Sequence, residues 1–116
     1  MKTIILYGYP LECEAFRQYL KEYTISCLSE QDELVCTLMK MSPAAAFVIM
    51  EKAAGMEGVF AIRKIYPEIP VAWFSNDSGF AAQAYRLNVD YFALMPVNEG
   101  KMNMALKKMK LTSENI

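Results

Sequence analysis

Apolar residues along this chain come in two alternating patterns: short continuous runs, and longer stretches in which they fall three or four positions apart. Thr3 to Tyr7 is the first run, and Pro10 then opens a stretch with Leu11, Ala15, Phe16, Tyr19, Leu20 and Tyr23 at helical spacing. Thr24 to Leu28 reads as a second strand. Ser29 with Asp32 resembles a capping box for a helix carrying Leu34, Leu38 and Met41, which Pro43 closes. Ala45 to Met50 is continuously apolar, as in a strand covered on both faces. A Gly-Met-Glu-Gly turn at 55–58 leads into a short helix from Glu57 to Tyr66 with Val59, Ile62 and Ile65 inward.

Pro67 and Pro70 bracket a turn before a fourth strand, Val71 to Phe74. Ser75-Asn76-Asp77 then caps a helix with Phe80, Ala84 and Leu87 on one side. Tyr91 to Leu94 is the fifth strand. Asn98 follows Pro96 as the N-cap of a last helix, with Met102, Leu106 and Met109 inward and Lys101, Lys107, Lys108 and Lys110 outward. Five strands alternating with five helices predict an α/β domain with a doubly wound parallel sheet and right-handed crossovers. Residues 1–110 form one domain and 111–116 a frayed tail. Such sheets bind ligands at the carboxyl ends of their strands, which directs attention to Tyr7-Gly8, Leu28-Ser29, Met50-Glu51, Phe74-Ser75 and Leu94-Met95.

Composition narrows the chemistry available there. A 116-residue chain is long enough for one core, and 12 basic against 13 acidic residues carry no electrostatic signature of nucleic acid. With no histidine, the usual zinc ligand, the commonest general base and the Ser-His and Cys-His nucleophile pairs are all missing. Cys13, Cys27 and Cys36 are odd in number and lack CxxC spacing, which predicts reduced thiols acting as small hydrophobes. No apolar run is long enough for a membrane span, and the start MKTIILYGYP reads as a strand, so the expected location is the cytoplasm. Gly8-Tyr9-Pro10 lacks the Gly/Ser/Thr density of a phosphate loop, and no cofactor is expected.

At the strand ends the sequence resembles the receiver domain of bacterial response regulators, the CheY-like family. The likeness covers the order of elements, AAGMEG at 53–58 against the family's MPGMDG loop, Ser75 where a Thr or Ser ends the fourth strand, and Met95-Pro96 where the family has Lys-Pro. Residues 75–96, SNDSGFAAQAYRLNVDYFALMP, are most similar to receivers that precede LytTR-type DNA-binding domains. This resemblance implies a flavodoxin-like (βα)5 fold in three layers with strand order 2-1-3-4-5.

Receivers transfer a phosphoryl group to their own aspartate, with an acidic pair holding Mg²⁺ and a lysine neutralising the phosphoryl oxygens. Carried over, the nucleophile falls on Met50, the acidic pair on Tyr7 and Gly8, and the lysine on Met95; only the hydroxyl at Ser75 is kept. The resemblance therefore implies a pseudo-receiver, not an enzyme, with no metal. Met50 and Met95 are expected to touch as core, with the Tyr7 ring free to fill the former metal site, although Met50, Met95 and a cysteine could serve as soft ligands for Cu(I). A one-residue slip of the third strand would instead bring Glu51 to the nucleophile position.

The family's docking face, made by helix 4, strand 5 and helix 5, implies an interaction set of Phe92, Tyr91, Tyr85 and Phe80. Protein partners, or a homodimer through that face, are then expected, with no binding of nucleic acid or membrane by this domain. The chain contains no effector domain, so output would pass to a partner, to a second copy or to a longer protein. Two other readings predict different sites: a small-molecule sensor needs a pocket among the strand ends, and a conventional phosphoacceptor needs a misplaced acid such as Glu51.

Overall fold

The computed structural model describes residues 2–111, so of the expected tail only Leu111 lies within the described residues. Its elements are β1 (Thr3–Tyr7), α1 (Pro10–Arg17), β2 (Thr24–Leu28), α2 (Gln31–Lys40), β3 (Ala45–Val48), α3 (Lys52–Ile65), β4 (Val71–Ser75), a 3₁₀ turn (Ser78–Phe80), α4 (Ala81–Arg86), β5 (Tyr91–Leu94) and α5 (Glu99–Lys108). All strand pairs are parallel, in the order β2-β1-β3-β4-β5. Strand order and fold class agree with the expectation.

Alternation along the strands decides which helix covers which face. Ile4, Leu6, Ala45, Phe47, Ala72 and Phe74 point to one layer, where they meet Cys13 and Phe16 of α1 and Met102 and Ala105 of α5. Ile5, Tyr7, Ala46, Val48, Val71 and Trp73 point to the other, against Leu34 and Leu38 of α2, Val59 and Ile62 of α3, and Ala84 of α4. Successive strand residues face opposite ways, so a sheet covered on both sides must be apolar at every position. Among the described residues, Ser75 is the one polar residue in the buried set.

The local signals succeed unevenly. Pro10 does open α1, and the Asn98 side chain accepts the Lys101 N–H at 2.8 Å to cap α5. The Ser29–Asp32 capping box does not form, because Glu30 stays extended (φ −124°, ψ 145°) as the N-cap of α2 and leaves Ser29 outside it. Gly-Met-Glu-Gly is not a turn. It lies inside α3, which begins at Lys52 and runs for 14 residues. Gly58 is there for packing: a Cβ on it would sit 2.6 Å from the Tyr7 ring.

The cysteines also correct the sequence reading. Cys13 on α1 and Cys27 on β2 are joined by a disulfide, with Cα atoms 6.6 Å apart, while Cys36 is free and exposed. Cysteine count and spacing carried no sign of this, because the two meet only when α1 folds back over the β1–β2 edge.

Arg63 ties α3 to the far end of the sheet. Its guanidinium donates to the carbonyls of Leu87 (2.9 Å), Asn88 (2.8 Å) and Ile69 (2.7 Å). Asp90 lies 3.7 Å away and itself accepts the Val71 N–H at 2.7 Å. Burial lowers the Arg63 pKa, and the charges of Asp90 and Glu68 oppose that shift. Planar geometry fans the donors of one side chain toward the α3–β4 and α4–β5 connections at once, a spread wider than the single nitrogen of an ammonium reaches. Arg63→Ala is expected to cost about 3 kcal/mol in urea unfolding, with Arg63→Lys recovering less than half of it.

Candidate functional site

The carboxyl end of the sheet is stitched shut by backbone. Beyond the strands, Gly8 N–H donates to Leu28 O (2.8 Å), Ile49 N–H to Tyr7 O (2.8 Å) and Met95 N–H to Ser75 O (2.9 Å). The ladder thus continues into the loops that would carry chemistry. Gly8 leaves no room for a side chain, since a Cβ there would overlap Ile49 Cγ1. An acid at position 8 would require Ile49 to move.

Met50 is 3% exposed and packs in the α2/α3/α4 layer, whereas Met95 packs in the α1/α5 layer. Both line one cavity of about 150 Å³, together with Glu12, Glu51, Phe74 and Asn76. Tyr7 is not part of its wall, because its ring lies over Gly58. Ser75 is not part of it either. Its hydroxyl accepts the Asp77 N–H at 3.1 Å and lies 3.4 Å from the Asp77 carbonyl oxygen, so it is occupied in holding its own loop.

Glu12 and Asn76 enter the site although the sequence reading passed over them. Pro10 starts α1 immediately after the strand end, which puts Glu12 in the first turn above the cavity. One carboxylate oxygen of Glu12 is enclosed and has no hydrogen-bond donor. Glu51 is exposed at the N-cap of α3. Lys101, the cation that approaches this end, donates to the carbonyls of Leu94 (2.6 Å) and Pro96 (3.1 Å), across the cis Met95–Pro96 bond. Tyr7 has its pKa raised, first by burial and then by the charges of Glu57, Tyr9 and Glu30. Among the described residues no three Cys, Asp or Glu side chains gather as a metal would need, and no helix is long and apolar enough to cross a membrane.

The aromatic set expected on the docking face is divided by the sheet. Phe92 meets Trp73 edge to face at 5.4 Å, and Phe80 packs on the same indole at 5.5 Å. Tyr91 lies on the opposite face against Phe74, at 5.9 Å. Tyr85 alone is fully displayed, at 85% exposure. A wider groove of about 400 Å³ lies between α3 and α4, lined by Met56, Phe60, Gln83, Arg86 and Leu87 among others.

Solved structures similar to this one include response-regulator receivers. The response regulator TrrA from Thermotoga maritima, in complex with Mg²⁺ and beryllofluoride, is 18% identical, with a TM-score of 0.77 over 94% of this chain and 99% of that one. Another response regulator from Thermotoga maritima is 14% identical, with a TM-score of 0.79 over 95% and 98% of the two chains. A CheY-like receiver domain protein from Methanospirillum hungatei is 14% identical, with a TM-score of 0.77 over 94% and 91%. No protein-family model matches the sequence, and no curated protein matches it. Likeness at these identities is one of fold.

Met50→Asp would place a carboxylate at a 3% exposed position beside Glu12 and Glu51, with no free cation lining the cavity. The expected cost at pH 7 is about 3–5 kcal/mol relative to the parent in denaturant unfolding. Burial raises the folded-state pKa of such an acid, so the penalty shrinks as pH falls toward the unfolded value, about 3.9. Tyr7 follows the same sign: its raised pKa means stability is lost as pH rises above about 10. Tyr7→Phe is expected to unfold less readily than the parent at that alkaline end, with little difference at pH 7.

Proposed function

We propose that this chain is a receiver-fold signalling domain that acts through protein partners, without phosphorylation of an aspartate. The observation that carries the reading is Met50, an apolar side chain buried where β3 would deliver the nucleophile. Its surroundings support the same conclusion. Gly8 has no space for a metal-binding acid, Met95 stands at the lysine position, Ser75 is engaged by its own loop, and Lys101 is held by backbone carbonyls. Phosphoryl transfer needs counter-charges at the transferred oxygens, and no cation lines the strand-end cavity.

The likeness of residues 75–96 to receivers of LytTR-type regulators supports a place in bacterial two-component-type signalling, with any contact to nucleic acid made by a partner. Tyr85, Leu94 and Met104 are exposed large apolar residues on α4, β5 and α5. They support that face as the docking surface for a protein or for a second copy. A cavity of about 150 Å³ at the strand ends falls below the roughly 300 Å³ at which small-molecule pockets begin, which argues against a ligand sensor there. Glu12 and Glu51 on one cavity wall favour a second reading, a phosphoacceptor built around Glu51.

Addition of Mg²⁺ with beryllofluoride, followed by backbone amide NMR, separates the two. No saturable shift is expected at residues 50, 75 or 92, and acetyl phosphate is expected to leave the intact mass unchanged. Saturable shifts at residues 50 and 75, with a phosphoryl mass increment, would replace the proposal by the Glu51 reading.

A further inference from the structure

The Cys13–Cys27 pair lies at the corner where β1 turns into α1. Cys13 follows Glu12 in the first turn of α1, and Cys27 pairs in register with Leu6 on the neighbouring strand. Between them runs the Gly8 loop, tied to β2 by the Gly8 N–H to Leu28 O bond. The Cα separation of 6.6 Å lies within the range that disulfides span. Cys13 is 1% exposed and Cys27 is only partly buried, so of the two Cys27 is the one nearer to solvent.

The sulfur of Cys13 also lies 3.5 Å from the Gly8 carbonyl oxygen and 3.9 Å from that of Leu6. A thiol there has an S–H to donate to these carbonyls, and a disulfide has none. The two redox states therefore differ in what they offer the β1–α1 corner, and a difference of that kind is what any two-state element requires. Glu12, next in sequence to Cys13, lines the strand-end cavity.

From this geometry we infer that Cys13 and Cys27 are a reversible modification site, a dithiol–disulfide pair that resets the β1–α1 corner and with it the strand-end cavity. The co-reactant is a small disulfide such as oxidised glutathione. The Cys27 thiolate attacks one sulfur of that disulfide, releasing one thiolate and forming a mixed disulfide. The Cys13 thiolate then attacks the Cys27 sulfur and releases the second. Two protein thiols lose two electrons and two protons in all, and one small disulfide becomes two thiols. This inference rests on the two sulfurs and their neighbours and holds whether or not the domain acts through partners.

Equilibration of the full chain across ratios of reduced to oxidised glutathione, followed by acid quench, denaturing alkylation and peptide mass spectrometry, tests it. Cys36, exposed and without a second cysteine beside it, is expected to stop at a mixed disulfide with glutathione at the oxidising end, whereas Cys13 and Cys27 are joined to each other there, free at the reducing end, and interconverting when the ratio is reversed. Backbone amides of Tyr9, Asn76 and Met95, none of them adjacent to either cysteine, are expected to shift with the ratio. Cys27→Ser is expected to abolish the ratio dependence while keeping the far-UV circular dichroism of the parent. Three outcomes would overturn the inference: a pair that never forms, a pair that stays closed at every ratio while the protein is folded, or amide shifts confined to the two cysteines and their immediate neighbours.

Discussion

A parallel sheet roofed by helices on both sides leaves its strands no place for charge. At Ile4–Tyr7, Ala45–Val48 and Val71–Phe74 every side chain enters one apolar layer or the other, and an ion in either layer would need a partner to offset its desolvation. The consequence is a sharp division of labour between the interior, which fixes the fold, and the carboxyl ends of the strands, where polar chemistry becomes affordable. In this chain the division is pushed one step further. Apolar packing continues past β3 through Ile49 and Met50, and the backbone ladder continues past β1, β3 and β5. The end of the sheet behaves as an extension of the core.

That extension depends on complementary losses of bulk. Tyr7 can turn its ring into the α3 layer because Gly58 offers no Cβ, and Ile49 can cover the β1 end because Gly8 offers none. Each large apolar residue is matched to a glycine on the facing segment, so the closure is built in pairs. A polar side chain at position 8 would conflict with Ile49, and a charged one at position 50 would stand among Glu12, Glu51 and the Met95 thioether.

Strand and helix order were legible because the physics behind them is short-ranged and repeated: β-branched and aromatic runs for strands, spacing of three and four for helices, and Asn98 in a capping position with a free N–H three residues on. Gly55 and Gly58 were misread because glycine marks a turn and a close helix contact with the same letter, and only what faces each distinguishes the two: the Trp73 indole and Met50 carbonyl for Gly55, the Tyr7 ring for Gly58. The Cys13–Cys27 bond and the approach of Glu12 and Asn76 to Met95 were illegible for a different reason. They are products of tertiary folding between segments whose sequences carry no mutual signal. Tyr91 and Phe92 show the reverse case, where strict alternation on β5 would have assigned them to opposite faces at once.

The chain's single tryptophan is wholly enclosed between Phe80 and Phe92, and its indole N–H has no partner. Its near-ultraviolet emission is therefore an optical property of one layer of the molecule, that of α2, α3 and α4. The opposite layer, which holds the cysteine pair and α5, has only tyrosines to report on it. A loosening of α1 and α5 could leave the indole in its dry surroundings, so that the two halves of this core fluoresce as if they were separate proteins.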